Sequence, residues 1–163
     1  VGYTHVAIVC LKKMEERCCN LDVTSYSAIM NHLCKDNKVC KALDLCLEMM
    51  GKGIQPNLVT YNSLIHGLCD FGRWKEALDL FFEMIGNGIQ PNVVTYTSLV
   101  HGLCDFGGNW KMGASLLSNM FKIGIMPDVE FYIVILDRYC KEGMISMAKN
   151  IIASMVRLGV DPH

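Results

Sequence analysis

The stretch LVTYNSLIHGLCDFGRWKEALDLFFEMIGNGIQPN, residues 58–92, carries two apolar stripes separated by a glycine and closed by a glycine–proline turn. In its first half Leu64, Ile65, Leu68 and Cys69 recur at the i, i+1, i+4, i+5 spacing of an amphipathic helix, and Gly72 breaks it. In its second half Trp74, Ala77, Leu78, Phe81 and Met84 form another stripe, which Gly86 and Gly88 end. Pro91 then stops the chain, and Asn92 stands where it can cap a following helix. The unit therefore reads as a helix pair.

The same unit returns along the whole sequence. Pro56, Pro91, Pro127 and Pro162 are spaced by 35, 36 and 35 residues. Gly53, Gly88, Gly124 and Gly159 keep that step, as do Tyr26, Tyr61, Tyr96 and Tyr132, and Met49, Met84, Met120 and Met155. A fixed period shared by several residue types marks a repeat architecture. The repeats read 23–57, 58–92, 93–128 and 129–163, and residues 1–22 match the second helix of an earlier, partial one. The extra residue of 93–128 is expected near GGNW (107–110), at a turn, where insertion costs least. Ala42, Ala77 and Ala148 would let paired helices approach, whereas Gly113 in that place should leave its helix weakest, by about 1 kcal/mol. No strand alternation occurs, so the expected fold is all-α, an α-solenoid of stacked antiparallel helix pairs. Residues 1–14 are expected to form a helix without its partner, prone to fraying or to pairing with another copy. The start at Val1, with no signal peptide or basic presequence, reads as a piece of something longer.

Composition narrows the function. Of 163 residues 52% are hydrophobic, too many for a disordered tail, and 15 Lys+Arg against 16 Asp+Glu exclude an overall basic domain. The longest apolar runs are short pieces such as FYIVIL (131–136), far below the roughly 18 residues of a membrane span. Nine cysteines invite a metal or disulfide framework, but no C-x-x-C occurs and His and Cys never cluster at zinc spacing. Cys34, Cys69, Cys104 and Cys140 share one repeat position, which suits small buried thiols and a reducing compartment. The methionine series and Trp74 and Trp110 read as packing residues. Catalysis finds no nucleophile with a base, no phosphate-cradling loop and no deaminase signature, so neither enzyme activity nor cofactor, metal or small-molecule substrate is expected.

The VTY start, the GLC ending the first helix, the EAL of the second and the closing GIQPN together resemble the pentatricopeptide repeat in its plain 35-residue form, over all 163 residues. The paired GLCDFG units also look like the restorer-of-fertility-like branch of plant organellar proteins. The resemblance implies a right-handed superhelix that binds single-stranded RNA, one base per repeat, in a mitochondrion or chloroplast. It assigns base reading to the fifth and last residues of each repeat: Ser27 with Asn57 for adenine, Asn62 with Asn92 for cytosine or uracil, and Thr97 with Asp128 for guanine. The second residues, Thr24, Val59 and Val94, would wedge against the base face. The implied core is 5′-A-(C/U)-G-3′. An ionised Asp accepts only and suits the N–H edge of guanine, whereas an amide both donates and accepts.

Other positions depart from that pattern. Ile133 and His163 hold the reading positions of the last repeat and Glu130 its wedge, so this repeat is expected to be silent or to cap the stack. Lys35 and Lys141 keep the backbone-contacting position after the helix-ending Cys, but Asp70 and Asp105 replace it in the two central repeats, implying modest affinity. His66 and His101 sit one turn beyond Asn62 and Thr97, either lining an RNA groove or simply exposed. Two other readings stand beside RNA binding. One is a protein-interaction scaffold, favoured by the neutral charge and the two aspartates; the other is a degenerate family copy that folds and binds nothing.

Overall fold

In the computed structural model the described residues are 21–106, 110–157 and 159, with Val6, Val9 and Lys13 as isolated positions. The expected helix at 1–14, residues 107–109 and the last reading position, His163, lie outside them. Among the described residues from 21 on, eight helices follow one another, all of 13 residues: α1 Val23–Lys35, α2 Val39–Gly51, α3 Leu58–Asp70, α4 Trp74–Gly86, α5 Val93–Asp105, α6 Trp110–Lys122, α7 Val129–Lys141 and α8 Ile145–Arg157. No strand occurs among the described residues. Each first helix packs on its own second helix, and α1, α3, α5 and α7 pack on one another in a row. This is an all-α helical-repeat solenoid.

Local chemistry sets each boundary. Asp22, Asn57, Asn92 and Asp128 all have extended backbone and accept a hydrogen bond from the backbone N–H three residues on, which caps α1, α3, α5 and α7. In α3 and α5 the bond is reciprocal, because Thr60 and Thr95 accept from the backbone N–H of Asn57 and Asn92. At the other end of the unit Gly88 has φ +76°, a left-handed conformation that disfavours any side chain, and its N–H bonds the Ile85 carbonyl. The loops 52–57, 87–92 and 123–128 all have six residues, whereas four residues, 106–109, separate α5 from α6 where 36–38, 71–73 and 142–144 have three. The insertion is thus absorbed between α5 and α6, and Asp128 keeps the capping geometry of Asn57 and Asn92.

The periodic residues are the core. Tyr26, Tyr61, Tyr96 and Tyr132, and Met49, Met84, Met120 and Met155, are at most 1% exposed, and Ala42, Ala77 and Ala148 are buried between paired helices. Trp74 is half-buried against this core. Buried tyrosine hydroxyls need partners. Tyr61 donates to Glu83 (2.9 Å) and accepts from Asn87 (2.9 Å), while Tyr96 accepts from Asn119 (3.1 Å). Burial is the main cause that pushes the Tyr61 phenol up to about 12. Tyr132 has no partner for its hydroxyl among the described residues. Gly113 is buried with no atom closer than 3.8 Å to where a Cβ would stand, so that helix has room for a methyl group it lacks.

The cysteine series corrects one expectation. Cys34, Cys69 and Cys104 are buried, but Cys140 is exposed. The reason lies in the next first helix: a Cβ on Gly67 would stand 2.6 Å from the Cβ of Cys34, and one on Gly102 2.7 Å from that of Cys69. Each of these cysteines is covered by the first helix of the next repeat, and among the described residues no further first helix follows α7. In α7 itself Arg138 replaces that glycine, with its guanidinium 2.6 Å from Glu142. Burial pushes the thiols of Cys34 and Cys104 up to about 11 and that of Cys69 to about 12. Brief alkylation at pH 8 should therefore label Cys40 and Cys140 and leave Cys34, Cys69 and Cys104 unmodified, as read by peptide mass mapping. Labelling of Cys69 at the rate of Cys40 would contradict this packing.

Candidate nucleic-acid interface

The capping residue at the head of α5 meets the fifth residue of the first helix before it, α3. Asn92 caps α5 through Oδ1, which accepts from Thr95 N–H at 3.1 Å. The same oxygen accepts from Nδ2 of Asn62, on α3, at 3.2 Å. Asn62 Oδ1 in turn accepts from the Thr95 hydroxyl at 2.6 Å. The two amides expected to act together are therefore bonded to each other, and a threonine that the sequence did not single out bonds both.

Ser27 and Asn57 are joined one step earlier by Thr60. Its hydroxyl lies 2.8 Å from Ser27 Oγ and 3.2 Å from Asn57 Oδ1. Both threonines are fully buried, so these hydroxyls have no water to fall back on. Thr97 and Asp128 are arranged differently. Thr97 donates to the Val93 carbonyl within its own helix (2.9 Å), and Asp128 caps Phe131 N–H through Oδ1 (2.9 Å), leaving Oδ2 without a partner among the described residues. Phe131 stands where Thr60 and Thr95 stand in α3 and α5, so no hydroxyl bridges this pair.

Asn62, Val94, Thr97 and Asp128 line one open pocket of about 220 Å³, together with His66 and Glu130. Val59 and Val94 are 57% and 49% exposed, unusual for valine beside a core and fitting for a surface that meets a flat ring. Thr24 is exposed, and so are Glu130 and Ile133 in α7.

Charge on this face is mostly acidic. Lys35 is exposed at the end of α1, whereas Lys141 is held by Asp137 at 2.6 Å. Asp70 and Asp105 end α3 and α5, where a carboxylate opposes the helix dipole. His66 lies 3.4 Å from Asp70 and 3.4 Å from the Ser98 hydroxyl, and His101 lies 3.2 Å from Asp105. His66 thus belongs to the groove, while His101 is not among the pocket-lining residues. No group of His, Cys, Asp and Glu able to hold a metal ion occurs among the described residues, and no helix there is long and apolar enough to cross a membrane.

The signal for Thr60 and Thr95 was present in the sequence as N-x-x-T, a capping-box pattern in which threonine replaces the usual Glu or Gln. What it did not reveal is that the hydroxyl reaches back to the previous first helix.

Comparison with known proteins places this arrangement. The PPR repeat family model matches residues 21–70 and 56–105, and a PPR repeat model matches residues 130–160. No curated protein sequence matches. The structure is similar to the crystal structure of the pentatricopeptide repeat protein PPR10 from maize, with 25% identity and a TM-score of 0.83 over 95% of this chain and 22% of that one. It is similar also to PPR10 in complex with an 18-nt psaJ RNA element (24% identity, TM-score 0.84, 99% of this chain and 24% of that one). A third likeness is to the PPR domain of Arabidopsis thaliana protein-only RNase P 1 in complex with tRNA, at 15% identity and a TM-score of 0.79, covering 97% of this chain and 83% of that one. The chain spans less than a quarter of the length of PPR10. With the family models matching most of its helix pairs, and the solenoid built from the same unit, the chain belongs to the pentatricopeptide repeat family.

Proposed function

We propose that this chain binds single-stranded RNA by sequence, one base per repeat, and reads the core 5′-A-(C/U)-G-3′ through Ser27–Asn57, Asn62–Asn92 and Thr97–Asp128. The repeats are those read from the period, 23–57, 58–92, 93–128 and 129–163, with the fourth silent. The observation that carries the reading is the meeting of fifth and last residues of one repeat, with exposed Val59 and Val94 beside them. Val59 and Val94, with Thr24 in the first repeat, wedge against the bases. That PPR10 and the RNase P 1 domain were each crystallised with RNA supports RNA as the ligand of this chain. The chain acts by binding rather than by catalysis, in RNA processing, stability or translation in a mitochondrion or chloroplast.

Affinity should be modest, because Lys35 is offset by Asp70, Asp105 and Glu130 on the same face. Fluorescence anisotropy with ten-nucleotide RNAs at low salt should show tighter binding to an A-C-G centre than to a scrambled one. Replacing Asp70 and Asp105 together by Lys should strengthen binding to both RNAs alike and steepen the salt dependence by roughly 0.7 in log–log slope per new phosphate contact. Equal affinity for both centres in the wild type would remove the sequence-specific reading.

A protein-docking role finds one observation in its favour. Met50, Ile85, Phe121 and Val156 share one repeat position on the second helices and are 37–65% exposed. They lie on second helices, away from the RNA-reading residues, so the two roles do not compete for a surface.

A further inference from the structure

We infer that the buried threonines Thr95 and Thr60 are positioning residues that set which hydrogen-bonding groups the preceding base-reading pair presents, so that Asn62–Asn92 selects cytosine over uracil. The inference rests on the RNA-binding reading above and adds to it the polarity of one reading pair.

The argument starts from a backbone donor that cannot turn round. Thr95 N–H needs an acceptor at the head of α5, which fixes Asn92 with Oδ1 inward (3.1 Å). Two amide oxygens cannot pair, so Asn62 must offer Nδ2 to that oxygen, as it does at 3.2 Å. Asn62 Oδ1 then needs a donor. The Thr95 hydroxyl has one proton and two oxygens in reach, Asn62 Oδ1 at 2.6 Å and Asn92 Oδ1 at 3.1 Å, and the shorter contact takes it. A lone pair of the same hydroxyl accepts from Asn92 N–H at 3.1 Å. Asn92 Oδ1 is thereby filled by two donors inside the protein, and Asn62 Oδ1 is engaged by one, which leaves it a single lone pair.

What remains for a ligand is mostly donors: one N–H of Asn62 and both of Asn92 Nδ2, which have no partner among the described residues, against one lone pair of Asn62 Oδ1. Cytosine presents two neighbouring acceptors, N3 and O2, to such a pair. Uracil presents an N3–H, for which three of the four remaining groups are the wrong kind and the Thr95-bound oxygen of Asn62 the single acceptor, so it is disfavoured. Thr60 ties Ser27 to Asn57 in a related way. It accepts from Asn57 N–H at 3.2 Å, and its closest hydroxyl contact is Ser27 Oγ at 2.8 Å, where either hydroxyl can donate, with Asn57 Oδ1 farther off at 3.2 Å. At the third pair Phe131 has no hydroxyl, and Thr97 donates to its own helix instead, so that register serves as an internal control.

The test compares the wild type with Thr95→Val, which keeps the shape and removes the hydroxyl, and Thr95→Ser, which keeps the hydroxyl. All three are measured where circular dichroism shows equal helicity. By anisotropy competition, wild type and Thr95→Ser should prefer A-C-G over A-U-G by roughly tenfold. In Thr95→Val that ratio should fall towards one, while the preference for A-C-G over A-C-A, read at Thr97–Asp128, stays unchanged. A wild-type ratio retained in Thr95→Val overturns the inference, and so does a wild-type preference for A-U-G.

Side-chain amide NMR of the free proteins supplies a readout that needs no RNA. The Asn62 amide proton bonded to Asn92 Oδ1 should exchange more slowly in wild type and Thr95→Ser than in Thr95→Val; equal exchange in all three overturns the inference. If the wild type prefers no base at any register, the RNA reading fails separately, the cytosine selection fails with it, and the NMR result still decides the positioning role.

Discussion

Replacing Gly102 by Ala should lower stability by about 1–3 kcal/mol, although alanine is by far the better helix former. On propensity alone the substitution gains about 1 kcal/mol in a helix interior such as this one. The opposing effect is larger. A Cβ at Gly102 would stand 2.7 Å from both Cβ and Sγ of Cys69 and 3.1 Å from its Cα. These atoms belong to the backbone and the root of a side chain, so no rotamer change relieves the contact, and α3 and α5 must move apart. In a solenoid the whole fold rests on such neighbour interfaces, with no distant contacts to compensate. Thermal unfolding followed by circular dichroism should show a midpoint lowered by several degrees, at about 2–4 °C per kcal/mol for a chain of this size. Gly86→Ala is the matched control, because nothing lies within 4 Å of its added Cβ and its φ is not left-handed. That variant should be neutral or slightly stabilised. Equal behaviour of the two variants would mean that close glycine–cysteine approach does not hold the stack together.

The same contact explains how far the sequence could be read. The period, the helix pairs and the capping Asn and Asp were legible because each depends on residues close in the chain: a stripe at helical spacing, a left-handed glycine, a proline two or more residues past the helix. The burial of Cys34, Cys69 and Cys104 was legible too, but its cause was not, since the covering first helix comes from the following repeat, through Gly67 over Cys34 and Gly102 over Cys69. Cys140 shows the consequence, exposed at a position that repetition alone predicts to be buried.

For the candidate site, Asn62 and Asn92 could be named from the family pattern, whereas their mutual bond and the role of Thr95 depend on a hydroxyl reaching across 33 residues. The 36-residue repeat raised the question of whether Asp128 keeps its place. The helix bounds put the additional residue between α5 and α6, and leave the six-residue loop ahead of α7 unchanged.

That unchanged loop makes Thr97→Asn a decisive change. Thr97 and Asp128 line the same pocket as Asn62 and Val94, and Asp128 caps α7 as Asn92 caps α5. One carboxylate oxygen is held by Phe131 N–H, and the other has no partner among the described residues. Ionised, it only accepts, which suits the N1–H and amino group of guanine. An amide in place of Thr97 adds a donor and an acceptor beside that carboxylate, the combination that suits uracil in this family. A well-made pair of base-edge hydrogen bonds discriminates by about 1–3 kcal/mol. The preference between two bases should therefore reverse rather than merely weaken.

The measurement that tests the account most directly is the ratio of affinities for RNAs centred on A-C-G and A-C-U, determined by fluorescence anisotropy for wild type and Thr97→Asn under identical low-salt conditions. The account predicts a ratio above one in favour of A-C-G for the wild type and a ratio below one for the variant, with both proteins equally helical. Identical ratios for the two proteins would contradict the claim that these residue pairs read RNA.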